Sequence, residues 1–263
     1  MRRIIVITGA SSGMGECFSR ELAAENAELW LVARRKDRLE KIAEELAKSG
    51  AKALAVPLDI SGKAGVNAFK EFLQTENAKS ALEISWLVNN AGFGTYGTFE
   101  ATPLDVQLDM VELNCTAMTG ICGVCLPFMK SGSKIVNTAS LASFLPLGNF
   151  AVYGATKSFV LSFSFALAAE LKDRGISVTA LCPGPVSTEF AAVASAGARK
   201  EVLHGKDASK VVSHCIKCVR QGKKTAIFAP KWKITALLSH IVPRSLGAWF
   251  TYRFCPRPRN NAQ

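Results

Sequence analysis

Tyr153 and Lys157 stand four residues apart. That is about one helical turn, so both side chains share one face of a helix. An ammonium beside a phenol favours the phenolate and draws the tyrosine pKa from about 10 toward neutral. A phenol tuned in this way can give a proton to, or take one from, an alcohol/ketone pair. Ser140, thirteen residues upstream of Tyr153, offers a hydroxyl that can hydrogen-bond a carbonyl oxygen as charge develops on it. Near the start of the chain, Thr8-Gly9-Ala10-Ser11-Ser12-Gly13-Met14-Gly15 makes a glycine-rich turn. Glycines let the backbone bend tightly and approach a pyrophosphate, whose charge the N-terminus of a following helix favours. A glycine trio alone is often just a turn, but here it follows an apolar strand and opens a helical pattern. Together these residues suggest hydride transfer.

Short β-branched runs alternate with helical patterns and must hold these groups in place. The pattern predicts strands at Ile4–Ile7, Glu28–Ala33, Lys52–Pro57, Ile84–Asn89, Lys134–Thr138, Ser177–Cys182 and Thr225–Phe228. It predicts helices at Met14–Glu25, Lys36–Ser49, Gly62–Thr75, Leu104–Met129, Val152–Arg174 and Ala208–Arg220. Nearly all-apolar strands alternating with helices read as a parallel sheet covered on both faces. Right-handed crossovers then give an α/β fold, a single Rossmann-like doubly wound sheet of about seven strands. The 263 residues suit one such domain with a sizeable core.

The order and spacing of several short motifs resemble the short-chain dehydrogenases/reductases. They are the Thr-Gly-x-x-x-Gly-x-Gly turn, Asn89-Asn90-Ala91-Gly92, Asn114, Ser140, Tyr153-x-x-x-Lys157 and Pro183-Gly184. The resemblance runs from about Arg3 to about Thr188. It implies a cofactor site on Gly9, Ser11, Ser12, Gly13, Met14 and Gly15. It also implies that Asp59 meets the adenine amino group and that Ile60 packs on the ring. Asn90, Ala91 and Gly92 would border the adenosine ribose, while Asn89 ties strands together. Pro183, Gly184, Val186 and Thr188 would border the nicotinamide. In the chemical site the resemblance gives Tyr153 as general acid/base and Ser140 on the substrate oxygen. Lys157 would also bond the nicotinamide ribose, and Asn114 would position a water that relays protons to the lysine. A serine after a strand is usually a turn residue and a mid-helix asparagine is usually solvated, but the joint spacing argues against that reading here.

The end of the second strand separates NAD from NADP. NAD-binding folds usually place a carboxylate there for the ribose 2′-hydroxyl. This chain has Ala33-Arg34-Arg35-Lys36. The cations could hold a 2′-phosphate, so we read NADP(H), with Arg34 as main contact and Arg35 as a stacking partner for adenine. The other reading is a solvated charge cluster at a helix start, although cations there oppose the helix dipole.

Bulk properties bound the rest. Apolar residues make up 49%, which excludes disorder. Of the eight cysteines, all but Cys255 lie within predicted elements, and they read as reduced thiols of a cytoplasmic protein. The pairs Cys122/Cys125 and Cys215/Cys218 lie too far apart for a zinc site, so no metal is expected. Met1-Arg2-Arg3 with the apolar run after it is too short for a signal peptide. The uncharged stretch from Asn114 to Met129 falls short of a membrane span. His204, His214 and His240 read as ordinary surface or lid residues.

The net charge of +11 sits in the last quarter: Arg199 to Gln263 holds 14 Lys/Arg and 2 Asp/Glu, a balance of +12. No nucleic-acid motif accompanies it. Residues 187–207 follow a strand C-terminus and read as a substrate lid or as a surface loop. Phe93, Tyr96, Leu141, Phe144, Leu147, Phe150 and Phe190 either line a pocket for a hydrophobic carbonyl or pack the core. Residues 230–263 mix cations with aromatics, with Pro243 dividing them. They resemble the ends of a bacterial subgroup of the family and of its steroid and 3-ketoacyl reductase relatives. They would cover the pocket, contact a second subunit, or lie on an anionic membrane as a peripheral segment. The resemblance also implies a homodimer or homotetramer paired through the two long helices, with Ser158, Ser162, Ala166 and Ala169 allowing close approach. Rival readings are a non-enzymatic NADP-binding sensor or scaffold, a peripheral membrane protein dominated by its tail, and a dehydratase or epimerase on the same scaffold.

Overall fold

The structure is a computed structural model that describes residues 1–199, 202 and 205–260. Seven parallel strands form one sheet in the order β3-β2-β1-β4-β5-β6-β7. They are β1 (Arg2–Thr8), β2 (Glu28–Ala33), β3 (Ala53–Pro57), β4 (Leu82–Asn89), β5 (Lys134–Thr138), β6 (Ser177–Leu181) and β7 (Thr225–Ala226). Alternation along β1 explains the two covered faces. Ile4 and Val6 join one apolar layer and Ile5 and Ile7 the other, all fully buried.

The first layer packs under α3 (Gly62–Lys79), α5 (Met118–Cys125) and α6 (Ala151–Glu170), through residues such as Phe69, Leu73, Ile121 and Val160, while α4 (Leu104–Val111) lies beside α6 and buries Met110 against Tyr153. The second packs under α1 (Gly13–Glu21), α2 (Lys36–Lys48) and α8 (Ala208–Arg220), through Phe18, Leu39, Val212 and Ile216. The lid region contributes only the short α7 (Phe190–Ala194). The last quarter forms α9 (Pro230–Leu238) and α10 (Arg244–Phe254), with Pro243 as the N-cap of α10. A proline cannot continue a helix through its own position, so the tail divides where its sequence suggested.

Some boundaries move. The third helix runs on to Lys79 because Glu76, buried near its end, receives hydrogen bonds from Arg2 at 3.0 Å and Lys79 at 2.6 Å. The seventh strand is shorter than expected, since the chain leaves the sheet edge for Ala229 (φ 76°) and Pro230. The larger difference lies in the long helix, expected as one regular element. It is continuous over Leu104–Phe128, but Glu112–Ala117 winds as a π-helix with Asn114 inside it. Such π segments occur often at functional sites.

By length and composition alone, Leu104–Phe128 and Ala151–Glu170 could each cross a membrane, which the Asn114–Met129 stretch by itself did not suggest. Both nevertheless bury part of their surface on the sheet, through Ile121, Cys122, Val160 and Leu167.

Candidate active site

β1 lies between β2 and β4, so successive crossovers depart in opposite directions and a crevice opens at the carboxyl ends of the strands. The glycine-rich turn occupies that crevice. Gly9 (φ 66°) and Gly13 (φ 55°) are in the left-handed region, which side chains rarely adopt. A Cβ at Gly15 would collide with the Gly9 carbonyl. One at Gly9 would come within 2.9 Å of the Ala91 Cα.

A clasp fixes the turn against β4. Thr8 Oγ1 accepts from the amides of Asn90 and Ala91, each at 3.0 Å. Asn90 Nδ2 donates back to the carbonyls of Thr8 (3.2 Å) and Gly9 (3.3 Å). Asn89 joins β4 to β5 through Asn137 Oδ1 at 2.9 Å. Ser12 is the N-cap of α1 yet makes no side-chain cap. The first amides of a helix have no carbonyl of their own helix to serve them, so those of Gly13, Met14 and Gly15 remain suited to an anion. On the far side Thr188 closes on the turn: its Cγ2 would be 3.1 Å from a Gly13 Cβ.

The adenosine end differs from expectation. Arg34 lies at the surface, 3.8 Å from Asp59, with side chains 77% and 54% exposed. Arg35 is the cation that enters the turn, donating to Ser11 Oγ (3.2 Å) and Ser12 Oγ (2.7 Å). Its third contact is Glu189 at 2.9 Å, which also takes Arg38 at 2.6 Å. These two arginines, Arg38 first, hold the Glu189 carboxyl below the usual carboxylate range. Burial would raise the Asp59 carboxyl, but hydrogen bonds from Ser61 and the Arg34 charge outweigh it and leave it lowered. Ile60 was expected against the adenine ring. Its side chain is buried with Phe69 and Leu73 in the core, and a Cβ at Gly65 of α3 would collide with its backbone.

The chemical groups converge as the spacing required. Ser140 follows β5 and caps a short 3₁₀ turn, Leu141–Ser143. Its hydroxyl accepts from the Ala142 amide at 3.1 Å, which leaves its own proton to donate. Ser143 Oγ accepts from the Ser140 amide at 3.2 Å and donates to the Lys157 carbonyl at 2.7 Å, tying this turn to α6. Lys157 Nζ donates to the Thr138 carbonyl at 2.7 Å and lies 5.7 Å from the Tyr153 ring centroid. Burial lowers the Lys157 pKa to about 8, against a smaller upward pull from Cys115 and Cys182.

Tyr153 corrects one expectation. Burial pushes its phenol above the ordinary value, the Ser140 hydroxyl opposes this, and Lys157 is not among the groups that shift it. The ammonium is directed to the Thr138 carbonyl, and the phenol is enclosed by rings. Phe150 stacks on it at 4.2 Å and 17°, and Phe190 lies at 5.4 Å. Desolvation therefore wins, and the phenol is held neutral.

The Asn114 side chain is fully engaged with protein partners. Its Oδ1 accepts from the Phe93 amide (3.1 Å), and its Nδ2 donates to the Phe93 carbonyl (2.9 Å) and Thr156 Oγ1 (3.1 Å). The side chain clamps the strand-four extension, so a water relay would have to use its main chain. A Cβ at Gly92 would meet this amide at 2.7 Å, which explains a glycine there.

On the substrate side, Phe93, Tyr96, Leu147 and Phe190 pack around Phe150, Tyr153 and Met110. Phe144 belongs to the core and meets His240 edge-on instead, and Leu141 lies against Gly184. Val186 is buried and bridges to Lys206. Pro183 accepts from the Leu141 amide at 3.0 Å, and Gly184 approaches the Trp232 indole so closely that a Cβ would sit 2.7 Å from its Nε1.

Trp232, Glu189, Arg38, Ser143 and Thr8 escaped the sequence reading as site residues. Thr8 stood in the motif, and Glu189 next to Thr188, but nothing local in the sequence reveals the long-range partners. His214 sits beside Phe228 and Cys218, and His204 lies outside the described residues. All eight cysteines are free. Cys122, Cys125, Cys215 and Cys218 are buried in the two apolar layers. Among the described residues no group of three His, Cys, Asp or Glu side chains converges.

A doubly wound parallel sheet with a glycine cradle at its switch point and a Ser–Tyr–Lys site beside it defines a nicotinamide-dependent oxidoreductase. The family model for short chain dehydrogenase matches residues 3–199, and the chain belongs to that family. It is similar to the 11-beta-hydroxysteroid dehydrogenase-like 2 of Arabidopsis thaliana, 31% identical over 261 residues, 96% of this chain and 82% of that one. It is also similar to the sulfoacetaldehyde reductase 2 of Chromohalobacter salexigens, 33% identical over 204 residues, 75% of this chain and 78% of that one. Among solved structures, a short-chain dehydrogenase from Sphingobium yanoikuyae in complex with NADPH superposes with a TM-score of 0.77 at 29% identity, covering 92% of this chain and 94% of that one. The protein is thus an enzyme acting on CH–OH groups with a nicotinamide dinucleotide. The side-chain-free cradle at Gly9, Gly13 and Gly15 fits such a cofactor.

Proposed function

We propose that the protein is an NADP(H)-dependent reductase of hydrophobic ketones or aldehydes, with Tyr153 as the proton donor. The observation that carries this reading is the convergence of the ring-enclosed Tyr153 phenol, Lys157 and Ser140 beside the glycine cradle. When bound, the reduced nicotinamide supplies the hydride to the carbonyl carbon. Ser140 donates to the carbonyl oxygen and stabilises the charge growing there. Tyr153 then delivers its proton to that oxygen. An alkoxide is far more basic than a phenolate, so even a phenol of raised pKa is a sufficient acid. In the reverse direction the Tyr153 oxygen would take the proton back from the alcohol. Lys157, at about 8, is still charged at neutral pH and would hold the nicotinamide ribose. Pro183, Gly184, Val186 and Thr188 would border the ring. Asp59, Asn90, Ala91 and Gly92 would border the adenosine half.

The preference for NADP rests on Arg34 and Arg35, with no carboxylate at Ala33. Tyr153→Phe should retain NADPH binding and lose carbonyl reduction by about a thousandfold or more. The check is NADPH oxidation against a panel of ketones and aldehydes, and near-normal rates would reject the acid assignment. The names of the relatives reach from a hydroxysteroid to a small sulfonated aldehyde, so family membership does not select the substrate.

We also propose a homodimer or tetramer built on the solvent faces of α4 and α6. Leu104, Leu108, Phe159 and Phe165 are exposed there, beside Ser162, Ala166 and Ala169. Ser158 is committed elsewhere, to the Ser143 and Gly154 carbonyls at 2.9 Å each. A monomer by light scattering at micromolar concentration would reject this. The exposed Leu237, Ile241, Trp249 and Phe250 of the tail, among its cations, support peripheral contact of a cytoplasmic protein with anionic membranes. Failure to sediment with phosphatidylserine vesicles would reject that reading.

A further inference from the structure

After α10, residues Pro256–Asn260 cross the substrate side as a strap. Arg257 Nη1 donates to the Gly148 carbonyl at 2.8 Å, and the Asn260 amide donates to the Ser195 carbonyl at 3.0 Å. Arg199 Nη2 reaches the Pro256 carbonyl at 3.2 Å, so the lid and the strap hold each other. Between the strap and the loop at Gly97, Thr98 and Ala101 lies a cleft of about 350 Å³, floored by Asn149.

The charges around this cleft are unusual. From Ala208 to the last residue the sequence has no Asp or Glu, and among the described residues no acidic side chain lines the cleft. Arg257 is half-buried over the Phe150 ring, 5.3 Å from its centroid. Burial lowers its pKa, and among the described residues the groups that act on it are Cys255, Tyr96 and Arg199. Arg199 lies over Tyr96 at 5.7 Å. Arg259 Nε is buried without a hydrogen-bond partner. Partly desolvated cations without counter-charge are costly, and an unsatisfied buried donor calls for a partner. Phe150 also stacks on Tyr153, so Arg257 of the cleft wall and the Phe150 ring beneath it connect this cleft to the reacting phenol.

We propose that the cleft between the Gly97–Ala101 loop and the Pro256–Arg259 strap is a substrate subsite for an anionic group, held by Arg257 and Arg259. The substrate class is then a carbonyl compound with an apolar body and a terminal carboxylate or similar anion. Its body lies along Tyr96, Phe150 and Phe190, and its charged end lies at the strap. This specifies the substrate of the reductase proposed above and rests on that reading for the position of the carbonyl.

Equilibrium binding tests the subsite without turnover. The full chain is titrated with ω-aryl-ω-oxoalkanoates of increasing chain length, with their methyl esters, and with acetate alone. The acids should bind about tenfold or more tightly than their esters, as expected of a charge-assisted hydrogen bond, with one chain length best and acetate weak. Arg259→Gln should erase that preference and leave ester binding and NADPH binding intact. Arg257→Gln loses the Gly148 contact as well, so Arg257→Lys is included and should keep most of the preference. Equal affinity for acid and ester in the wild type overturns the subsite, as does an Arg259→Gln variant that weakens both alike. Preferred acid binding without reduction of any ketone would keep the subsite and sink the reductase reading.

Discussion

On the cofactor side of the crevice the chain is held by main-chain atoms and amide groups that leave no room for an added atom. Thr8, Asn90 and Ala91 are locked together by hydrogen bonds of 3.0 to 3.3 Å, and a Cβ added at Gly15 would overlap the Gly9 carbonyl. The substrate side is built of stacked rings and a strap, with Phe150, Tyr153 and Phe190 enclosing the phenol and arginines resting on Tyr96 and Phe150. The first arrangement suits a ligand of fixed shape. The second can change its lining by exchanging side chains, which is how one scaffold serves many substrates.

Two glycine variants put that contrast to its hardest test. Gly15→Ala should lose NADPH binding and destabilise the fold by about 1–3 kcal/mol, since backbone cannot yield as a side chain can. Gly148→Ala drives a methyl group into the backbone of Tyr252 and should dislodge α10 and the strap. NADPH affinity should survive that change while carbonyl KM rises. Titration of NADPH fluorescence together with thermal melts reads both. Loss of NADPH binding in Gly148→Ala would show that the two sides are one mechanical unit.

Sequence legibility divides along the same line. The sheet, its seven strands and the α8 limits follow from local apolar pattern, as does the pairing of Tyr153 with Lys157. The glycine cradle was legible because its constraint is local: only glycine tolerates those turns. The π winding at Asn114 was not, because it depends on the amide bonding Phe93, twenty-one residues away. The raised Tyr153 pKa was missed for a similar reason. A four-residue spacing reveals the ammonium, but only the assembled fold places Phe150 and Phe190 around the phenol and turns Lys157 toward Thr138. Glu189, 154 residues from Arg35, has no local signature as its partner.

The arginines at the adenosine end sharpen the comparison further. Sequence spacing favours Arg34 for a 2′-phosphate, whereas the structure seats Arg35 on Ser11 and Ser12 and leaves Arg34 exposed. Arg35→Ala should raise the NADPH KM roughly tenfold to a hundredfold with little change for NADH, the effect of losing charge-assisted hydrogen bonds. Arg34→Asp should shift preference toward NADH. If only the Arg34 variant alters selectivity, Arg35 is a structural link between the turn and Glu189. Glu189→Gln should then weaken the link while leaving selectivity unchanged.

The smallest expected effect separates the two sides by pH. Lys157 binds its proton less tightly in the fold, with a pKa of about 8 against 10.5 for an ordinary lysine. Between those values the unfolded chain holds more of that proton, so unfolding free energy rises with pH across this window. Tyr153 has the opposite sign, because a pKa raised above 10.0 removes stability only as pH climbs beyond that ordinary value. Apo-protein melts should therefore gain stability from about pH 8 toward pH 10 relative to Lys157→Met. NADPH affinity should fall over the same range as the ammonium loses its charge. A Lys157→Met variant with the same pH slope as wild type would mean that the ammonium is better solvated than its place beside Thr138 implies. The acid chemistry would then depend on the ring enclosure of Tyr153 alone.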